Sequence, residues 1–177
     1  MDDATRLALA AQRGDEEALA ALIRCTQPDV WRLCAHLTGR ERADDLTQET
    51  FLRAWRSLPR FQAESSVRTW LLAIARHAAI DALRAARRRP VTVAVSDQEA
   101  GAPPSPSAPD PAALVTTEAL LAGLDPDRRL ALFLTQLLGL SYAEAADVCG
   151  VPVGTIRSRV HRGRQDLAGG LGLEALP

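Results

Sequence analysis

A proline-rich segment divides this sequence into two parts that must fold separately. Residues 90–111 contain six of the eleven prolines and neither an arginine nor an aromatic residue. A segment of this composition cannot bury enough apolar surface to offset the entropy lost on ordering it. All seven aromatic residues lie outside it, five before and two after. The sequence therefore predicts two small hydrophobic cores joined by a flexible linker.

Alanine and leucine dominate the composition. They number 32 and 26 of the 177 residues, whereas valine and isoleucine together number 14. Because alanine and leucine are strong helix formers and β-branched residues favour strands, this balance indicates an all-α chain. The expected fold is two small helical domains, at residues 1–89 and 112–177, on either side of the linker.

In the first domain, apolar side chains recur every three to four residues, which predicts four helices packed as a compact bundle. One begins after an N-cap at Asp15, a second spans residues 29–37 and ends near Gly39, a third spans residues 41–58, and a fourth spans residues 67–88 after a polar loop at residues 62–66.

The second domain carries the strongest local signals. A helix is expected over residues 112–124, and Asp125-Pro126 caps another over residues 128–138. Ser141 and Glu144 have the spacing of a capping box, which opens a short helix over residues 143–148 that closes at Gly150. A turn at Val151-Pro152 leads into a helix over residues 154–167, with Ile156, Val160, Gly163 and Leu167 facing inward. This order is typical of a helix-turn-helix.

Charge is unevenly distributed along a chain whose net charge is only −1. Residues 1–50 carry a net charge of −4 and residues 60–90 a net charge of +5, and residues 151–167 hold four Arg against one Asp. All 21 cationic side chains are Arg, the better fork-shaped donor to phosphate and guanine, although a GC-rich genome would produce the same bias. The two basic segments are the candidate nucleic-acid contacts.

Three helical faces are candidate binding surfaces, and each also has a plain structural interpretation. On the last helix, an outward stripe suits a major groove or is simply solvated; it consists of Arg157, His161, Arg164 and Gln165. On the fourth helix, a stripe through His77, Asp81, Arg84 and Arg88 suits an exposed base and phosphate, or solvent alone; Trp70, at an apolar position, is expected in the core rather than stacked on a base. On the third helix, an acidic patch of Asp44, Asp45, Gln48 and Glu49 suits a protein partner with a basic surface. The plain alternative is that acidic side chains are simply favourable in the first turns of a helix.

Catalytic and metal-binding patterns are lacking in the sequence. It has no glycine-rich phosphate loop, no GxSxG and no HExxH, and neither Cys25, Cys34 and Cys149 nor the three histidines are closely paired. We expect free, mostly buried thiols, no cofactor, no metal and no enzymatic activity. Without a long apolar stretch or a signal-peptide pattern, we expect a cytoplasmic protein that does not insert into a membrane.

Four segments carry a family resemblance. They are residues 43–55 (ADDLTQETFLRAW), 68–77 (RTWLLAIARH), 139–146 (GLSYAEAA) and 153–164 (VGTIRSRVHRGR). In this order, on both sides of the linker, they resemble the extracytoplasmic-function sigma factors of bacterial RNA polymerase, in the sigma-70 family. The resemblance implies sigma region 2 at residues 1–89 and sigma region 4 at residues 112–177, with the linker at residues 90–111 threading through the polymerase.

The resemblance also implies a partner for each surface. Core polymerase would be bound through its beta-prime clamp helices by Asp44, Asp45, Gln48 and Glu49, and through its beta flap. The minus-ten element would be read and opened, with one flipped non-template base, by Gln62, Ser65, Ser66, His77, Asp81 and Arg84. The minus-thirty-five element would be read by Arg157, Ser158, Arg159, His161, Arg162 and Arg164. An anti-sigma factor is a further expected partner. The alternative is a stand-alone helix-turn-helix regulator, which would leave the first domain without a purpose.

Overall fold

The computed structural model describes residues 2–88 and 123–170, and within these ranges the chain forms seven α-helices and no β-strand. The predicted all-α fold class is therefore confirmed. The linker at residues 90–111 and nearly all of the helix expected over residues 112–124 lie outside the described residues. The described residues form two compact units, one of residues 2–88 with 140–153 and one of residues 123–139 with 154–170. The proposed domain boundaries stay a prediction.

The first unit contains a bundle of four helices. They are α1 (Asp3–Gln12), α2 (Glu16–Thr38), α3 (Arg40–Ser57) and α4 (Val67–Arg88), with a 3₁₀ turn at Leu58–Arg60 between α3 and α4. Helix α2 packs against the other three, and α3 packs against α4. Val30 and Leu33 of α2 and Leu71 and Leu72 of α4 are fully buried in its core. Gly39, at φ 87°, separates α2 from α3 as expected.

Helix α2 corrects the prediction of two separate helices in this part of the sequence. The N-cap at Asp15 is confirmed, but the helix continues through Pro28 to Thr38. An interior proline removes one helical hydrogen bond and costs about 3 kcal/mol. Leu22, Thr26 and Val30 nevertheless form a continuous buried face across the proline, and tertiary packing of such a face outweighs local propensity.

Helix α1 was not predicted from the sequence. Its N-cap is Asp2, whose side chain accepts a hydrogen bond from the Thr5 backbone N–H. Partial burial acts to raise the pKa of Asp2, but the hydrogen bonds from Thr5, together with one from its own backbone and the charge of the N-terminus, outweigh burial and leave the pKa lowered. The buried face consists of Thr5, Ala8 and Ala11. Because none of these side chains is large, the apolar periodicity that would indicate a helix is weak here.

In the second unit, α5 spans Pro126–Leu132 and continues as a π-helical turn over Phe133–Leu137. Its start is as expected, because Asp125 accepts hydrogen bonds from the backbone N–H groups of Asp127 and Arg128, and Pro126 is at the first helical position. The single helix predicted over residues 128–138 is thus an α-helix followed by a wider turn, and the chain leaves that turn at Gly139 with φ 67°.

Helices α6 (Tyr142–Cys149) and α7 (Val153–Gly170) are joined by a three-residue turn, in the order of a helix-turn-helix. The capping box at the start of α6 is confirmed, with Glu144 N donating to Ser141 Oγ at 3.2 Å and Ser141 N donating to Glu144 Oε2 at 2.9 Å. Gly150, in the left-handed conformation, ends α6 as predicted. Helix α7 is longer than residues 154–167. Ile156, Val160 and Gly163 are buried, whereas Leu167 is half-buried.

Gly163 permits close packing of α7 on α5, and replacing it should destabilise the second unit. A Cβ at this position would lie 2.8 Å from Leu132 Cδ1, so a buried leucine would have to shift. We expect Gly163→Val to cost about 1–3 kcal/mol of unfolding free energy, as overpacked cores do. Chemical unfolding followed by circular dichroism measures this difference.

The matched control is Gly154→Ala on the same helix. A Cβ at Gly154 meets nothing within 4 Å, and alanine has a higher helix propensity than glycine by up to about 1 kcal/mol. Gly154→Ala should therefore leave stability unchanged or raise it. Equal stability of the two variants would show that Leu132 yields without cost.

Candidate nucleic-acid interface

One face of α7 presents two exposed arginines and an exposed histidine. Arg157, His161 and Arg162 are exposed, and they lie on the opposite side of the helix from the buried Ile156 and Val160. Ser158 is also exposed, and its hydroxyl donates to the Thr155 carbonyl at 2.9 Å within the same helix. Guanidinium groups on one helix face are the donors that guanine and phosphate acceptors of a major groove require.

Two other arginines of α7 bind within the second unit. Arg159 is half-buried and forms an ion pair with Asp127 near the start of α5. Arg164 Nη2 donates to Gln136 Oε1 at 3.0 Å. Together with an ion pair of 2.6 Å between Arg128 and Asp166, these contacts hold α7 on α5. Of the predicted minus-thirty-five set, Arg159 is thus half-buried in an ion pair, whereas Arg164 is hydrogen-bonded but remains exposed, as Arg157, Ser158, His161 and Arg162 are.

The polar loop before α4 adopts a defined conformation. Gln62 is exposed, whereas Ser65 and Ser66 are half-buried. Ser66 Oγ accepts a hydrogen bond from Thr69 N at 3.1 Å, so the loop supplies a cap for α4 as predicted. Ala63 has φ 56°, a left-handed conformation that a residue with a Cβ rarely adopts. At this residue the loop therefore departs from extended backbone.

His77, Asp81 and Arg84 are all exposed on one face of α4. Asp81 is not isolated there, because Arg53 Nη1 of α3 donates to Asp81 Oδ2 at 2.8 Å. The hydrogen bond from Arg53 lowers the pKa of the Asp81 carboxyl, and the charges of Arg53, Arg84 and His77 add to this effect. Asp81 therefore stays ionised and fixes Arg53 across the two helices.

Trp70 lies on the apolar side of the same helix. It is half-buried, and its ring centroid is 4.9 Å from that of Phe61 at an interplanar angle of 43°. A tilted aromatic pair of this kind stabilises a core. Trp70 thus packs on Phe61 at the edge of the core, not fully inside it, and also lines the apolar groove described below.

The acidic face of α3 is arranged by two neighbouring side chains. Asp44 is exposed and accepts a hydrogen bond from Trp31 Nε1 at 2.8 Å. Glu49 accepts one from Arg53 Nε at 2.8 Å. Asp45 and Gln48 are exposed. The four side chains lie on successive turns, and they present carboxylates and an amide to a partner that would supply cationic groups.

Sequence reasoning missed an apolar extension of this face. Leu52 and Trp55 of α3 are each 52% exposed, and they line a groove of about 480 Å³ whose walls come from α2, α3 and α4. Gln48 borders the same groove, so the acidic face and the groove form one continuous surface. The signal was available, since positions 44, 48, 52 and 55 follow helical spacing. Exposed large apolar side chains at such a site favour a protein partner.

Replacing Arg53 by Met should raise the pKa of Asp81 toward the ordinary value of an aspartate. The ion pair stabilises the fold at pH values above that ordinary pKa, and this contribution is lost as pH falls through the lowered pKa of the folded state. Carbon-13 NMR titration of the Asp81 carboxyl would measure the shift. Arg84→Met is the control and should shift the pKa less, because Arg84 contributes only its charge. A larger shift for Arg84→Met would contradict the Arg53 pairing.

The cysteines differ in their exposure. Cys34 and Cys149 are buried and Cys25 is exposed. Burial raises the pKa of the Cys34 thiol, although hydrogen bonds with Thr47 and Thr50 oppose this effect. Within residues 2–88 and 123–170, no three His, Cys, Asp or Glu side chains come together as metal ligands do. None of the helices in these ranges combines the length and apolar character needed to cross a membrane.

Comparison with known families identifies both parts of the chain. Residues 22–89 match the family model described as sigma-70 region 2, and residues 115–167 match the one described as sigma-70, region 4. The two matches cover the acidic face, the loop before α4 and the exposed stripe of α7.

Similar proteins extend the agreement to most of the chain. An ECF RNA polymerase sigma factor of Mycobacterium tuberculosis, SigC, is 55% identical over 163 residues, which is 92% of this chain and 88% of that protein. The ECF RNA polymerase sigma-E factor of Escherichia coli is 35% identical over 165 residues, covering 87% of this chain and 86% of that one.

Solved structures with the same fold include two complexes. The sigma factor RpoE of Bartonella quintana, crystallised with the anti-sigma factor NepR, superposes with a TM-score of 0.71 at 26% identity, covering 89% of this chain and 98% of that one. CnrH, in complex with the cytosolic domain of CnrY, gives a TM-score of 0.72 at 26% identity, covering 98% of this chain and all of that one.

Proposed function

This chain belongs to the extracytoplasmic-function sigma factors of the sigma-70 family, and we propose that it directs core RNA polymerase to promoters with separate minus-thirty-five and minus-ten elements. Sigma factors are regulatory initiation factors rather than catalysts. The observation that carries the proposal is the continuous acidic and apolar surface on α3, which a protein acting on DNA alone would not need. Asp45, Gln48, Leu52 and Trp55 are exposed on it.

Polymerase docking uses this surface. Carboxylates at Asp44, Asp45 and Glu49 attract a basic helix of the clamp, and the groove beside Leu52 and Trp55 receives its apolar side chains. The charges set orientation and association rate, whereas the buried apolar contacts contribute most of the affinity. Residues 1–89 act as the polymerase-binding and minus-ten domain, and residues 112–177 as the minus-thirty-five domain, with a contact to the beta flap.

Minus-thirty-five recognition falls to the exposed stripe of α7. Arg157, His161 and Arg162 reach base edges and phosphates, and Ser158 adds a hydroxyl. Arg159 and Arg164 orient α7 through Asp127 and Gln136. On this proposal, fewer arginines contact DNA than the sequence alone suggests.

Minus-ten recognition uses the loop before α4 and the adjoining face of that helix. Gln62, Ser65 and Ser66 meet the non-template strand, and His77 and Arg84 contact it farther along α4. One base leaves the stack and is held by the loop, which offsets an opening cost of a few kcal/mol. Asp81 holds Arg53 beside this path.

An anti-sigma factor is a further partner. The RpoE structure of B. quintana contains one, and the same mode of control in this chain would cover the exposed α3 surface until the factor is released. As a sigma factor, this chain would act in the cytoplasm, where the polymerase is. A stand-alone regulator would not account for the sigma-70 region 2 match at residues 22–89.

Transcription by reconstituted holoenzyme tests the proposal. The chain is mixed with mycobacterial core polymerase and a promoter library randomised at both elements, and the transcripts are sequenced. We expect stable holoenzyme and enrichment of two conserved elements at a fixed spacing. Failure to bind core polymerase, or binding without any enriched start site, would refute it. Dimeric binding to palindromic DNA without polymerase would favour the regulator instead.

A further inference from the structure

Helix α1 lies ahead of the residues that match sigma region 2, which begin at residue 22. It packs against α2, α4 and the 3₁₀ turn. Two of its polar side chains are turned toward the bundle: Thr5 is buried and Gln12 is half-buried. Each is hydrogen-bonded to backbone on one side of the loop at residues 62–66.

Gln12 holds the chain just before the loop. Its side-chain amide nitrogen donates to the Leu58 carbonyl at 2.9 Å and to the Phe61 carbonyl at 3.0 Å. The residues that bear these carbonyls begin and follow the 3₁₀ turn. One side chain from a helix 46 residues earlier therefore fixes the point at which the backbone leaves the turn.

Thr5 holds the chain just after the loop. Its hydroxyl oxygen accepts a hydrogen bond from Val67 N, the first backbone N–H of α4, at 3.0 Å. The same hydroxyl donates to Asp2 Oδ2 at 2.9 Å, so Asp2 orients it. A buried N–H at a helix start lacks a partner within its own helix, and Thr5, only 3% exposed, supplies one.

Between these two attachments the loop is short and contains a strained residue. Five residues separate Phe61 from Val67, and Ala63 among them has φ 56°. Such a conformation persists only when the surrounding structure imposes it. Attachment to α1 at both ends is one such constraint, beside the Ser66 cap on α4 and the ring contact between Phe61 and Trp70.

We propose that α1 is a specificity-determining element, in which Gln12 and Thr5 position the minus-ten loop without touching DNA. The inference rests on the proposed function, because it assigns the loop to promoter reading. Gln12 and Thr5 are positioning residues, since the contacts to the minus-ten DNA would be made by Gln62, Ser65 and Ser66. When an attachment is lost, the loop samples other conformations, so its contacts to the preferred bases weaken more than contacts elsewhere on the promoter.

The test uses holoenzyme assembled from the full chain and mycobacterial core polymerase. The probe is a promoter library randomised at the minus-ten positions with a fixed minus-thirty-five element. A second library is randomised at the minus-thirty-five positions and has a fixed minus-ten element. For Gln12→Leu and Thr5→Val, we expect enrichment of the preferred minus-ten sequence to fall about tenfold, as loss of one or two partly or fully buried hydrogen bonds would produce. Minus-thirty-five enrichment and holoenzyme assembly should not change.

Thr26→Val is the matched control. Thr26 is as buried as Thr5, at 3% exposed, but its hydroxyl donates to the Leu22 carbonyl within its own helix. It should keep the minus-ten preference. Hydrogen exchange of the Val67 amide, measured by NMR on the free chain, should accelerate in Thr5→Val and not in Thr26→Val.

The outcomes separate the inference from the proposed function. If wild-type holoenzyme enriches a minus-ten sequence and both α1 variants enrich it equally, the inference is wrong and the proposed function stands. If the α1 variants lose both promoter preferences together, or Thr26→Val behaves as they do, α1 is a stabilising helix only and the inference is again wrong. If wild-type holoenzyme enriches no minus-ten sequence, the proposed function fails and the inference fails with it.

Discussion

Reversing one charge on α3, by Asp45→Arg, is expected to weaken binding to core polymerase by about 100-fold or more. Placing like charges opposite each other at an interface costs several kcal/mol, and 1.4 kcal/mol already corresponds to a tenfold change. Asp45 is exposed, so the substitution should leave the fold intact. Titration of fluorescently labelled chain with core polymerase measures the affinity, and run-off transcription should fall in proportion.

The choice of Asp45 over its neighbours follows from their contacts. Asp44 accepts a hydrogen bond from Trp31, and Glu49 is paired with Arg53, so changing either one would also disturb contacts between helices. Glu17→Arg, at an exposed acid near the start of α2, has the same change in charge and is the control. If Glu17→Arg weakened polymerase binding as much as Asp45→Arg, the effect would come from net charge rather than from this surface.

Local signals in the sequence predicted much of the fold correctly. The capping box at Ser141 and the Asp125-Pro126 start are contacts between residues close in the chain, and they formed as expected. The bounds of α4 matched as well. The errors arose where tertiary packing determines the structure. The separate helix predicted over residues 29–37 is part of α2, whose buried face continues across Pro28, and α1 has too few large apolar side chains to be recognised.

The site was predictable in its residue types but not in its pairings. Helical spacing placed His77, Asp81 and Arg84 on one face of α4, and all three are exposed there. Nothing in that spacing indicates that Arg53, 28 residues away, binds Asp81, or that Arg159 binds Asp127. Such pairings depend on how the helices pack. These pairings determine which charged side chains remain available to DNA, and therefore which substitutions would test DNA binding alone.

Arg157→Ala should weaken promoter binding by holoenzyme by about tenfold to a hundredfold while leaving its affinity for core polymerase unchanged. Arg157 is exposed on α7, so truncation should remove the proposed DNA contact without loss of packing. An arginine that reads guanine contributes about 1–3 kcal/mol and loses its base preference on substitution. An arginine that contacts only phosphate weakens all sequences alike and reduces the salt slope by about one. Measuring promoter affinity at several salt concentrations, on templates with altered minus-thirty-five bases, separates the two.

Arg159→Ala is the informative comparison, because the same charge is removed from the same helix. Arg159 is paired with Asp127 on α5, so its loss should lower the melting temperature of the second unit and weaken DNA binding only through that destabilisation. Arg157→Ala should leave the melting temperature unchanged. A net charge of −1 means that the free chain gains little affinity for DNA from bulk electrostatics, and docking on polymerase makes the second DNA contact intramolecular. The Arg157 effect should therefore be large in holoenzyme and barely measurable in the free chain; tight, sequence-specific binding by the free chain would contradict this.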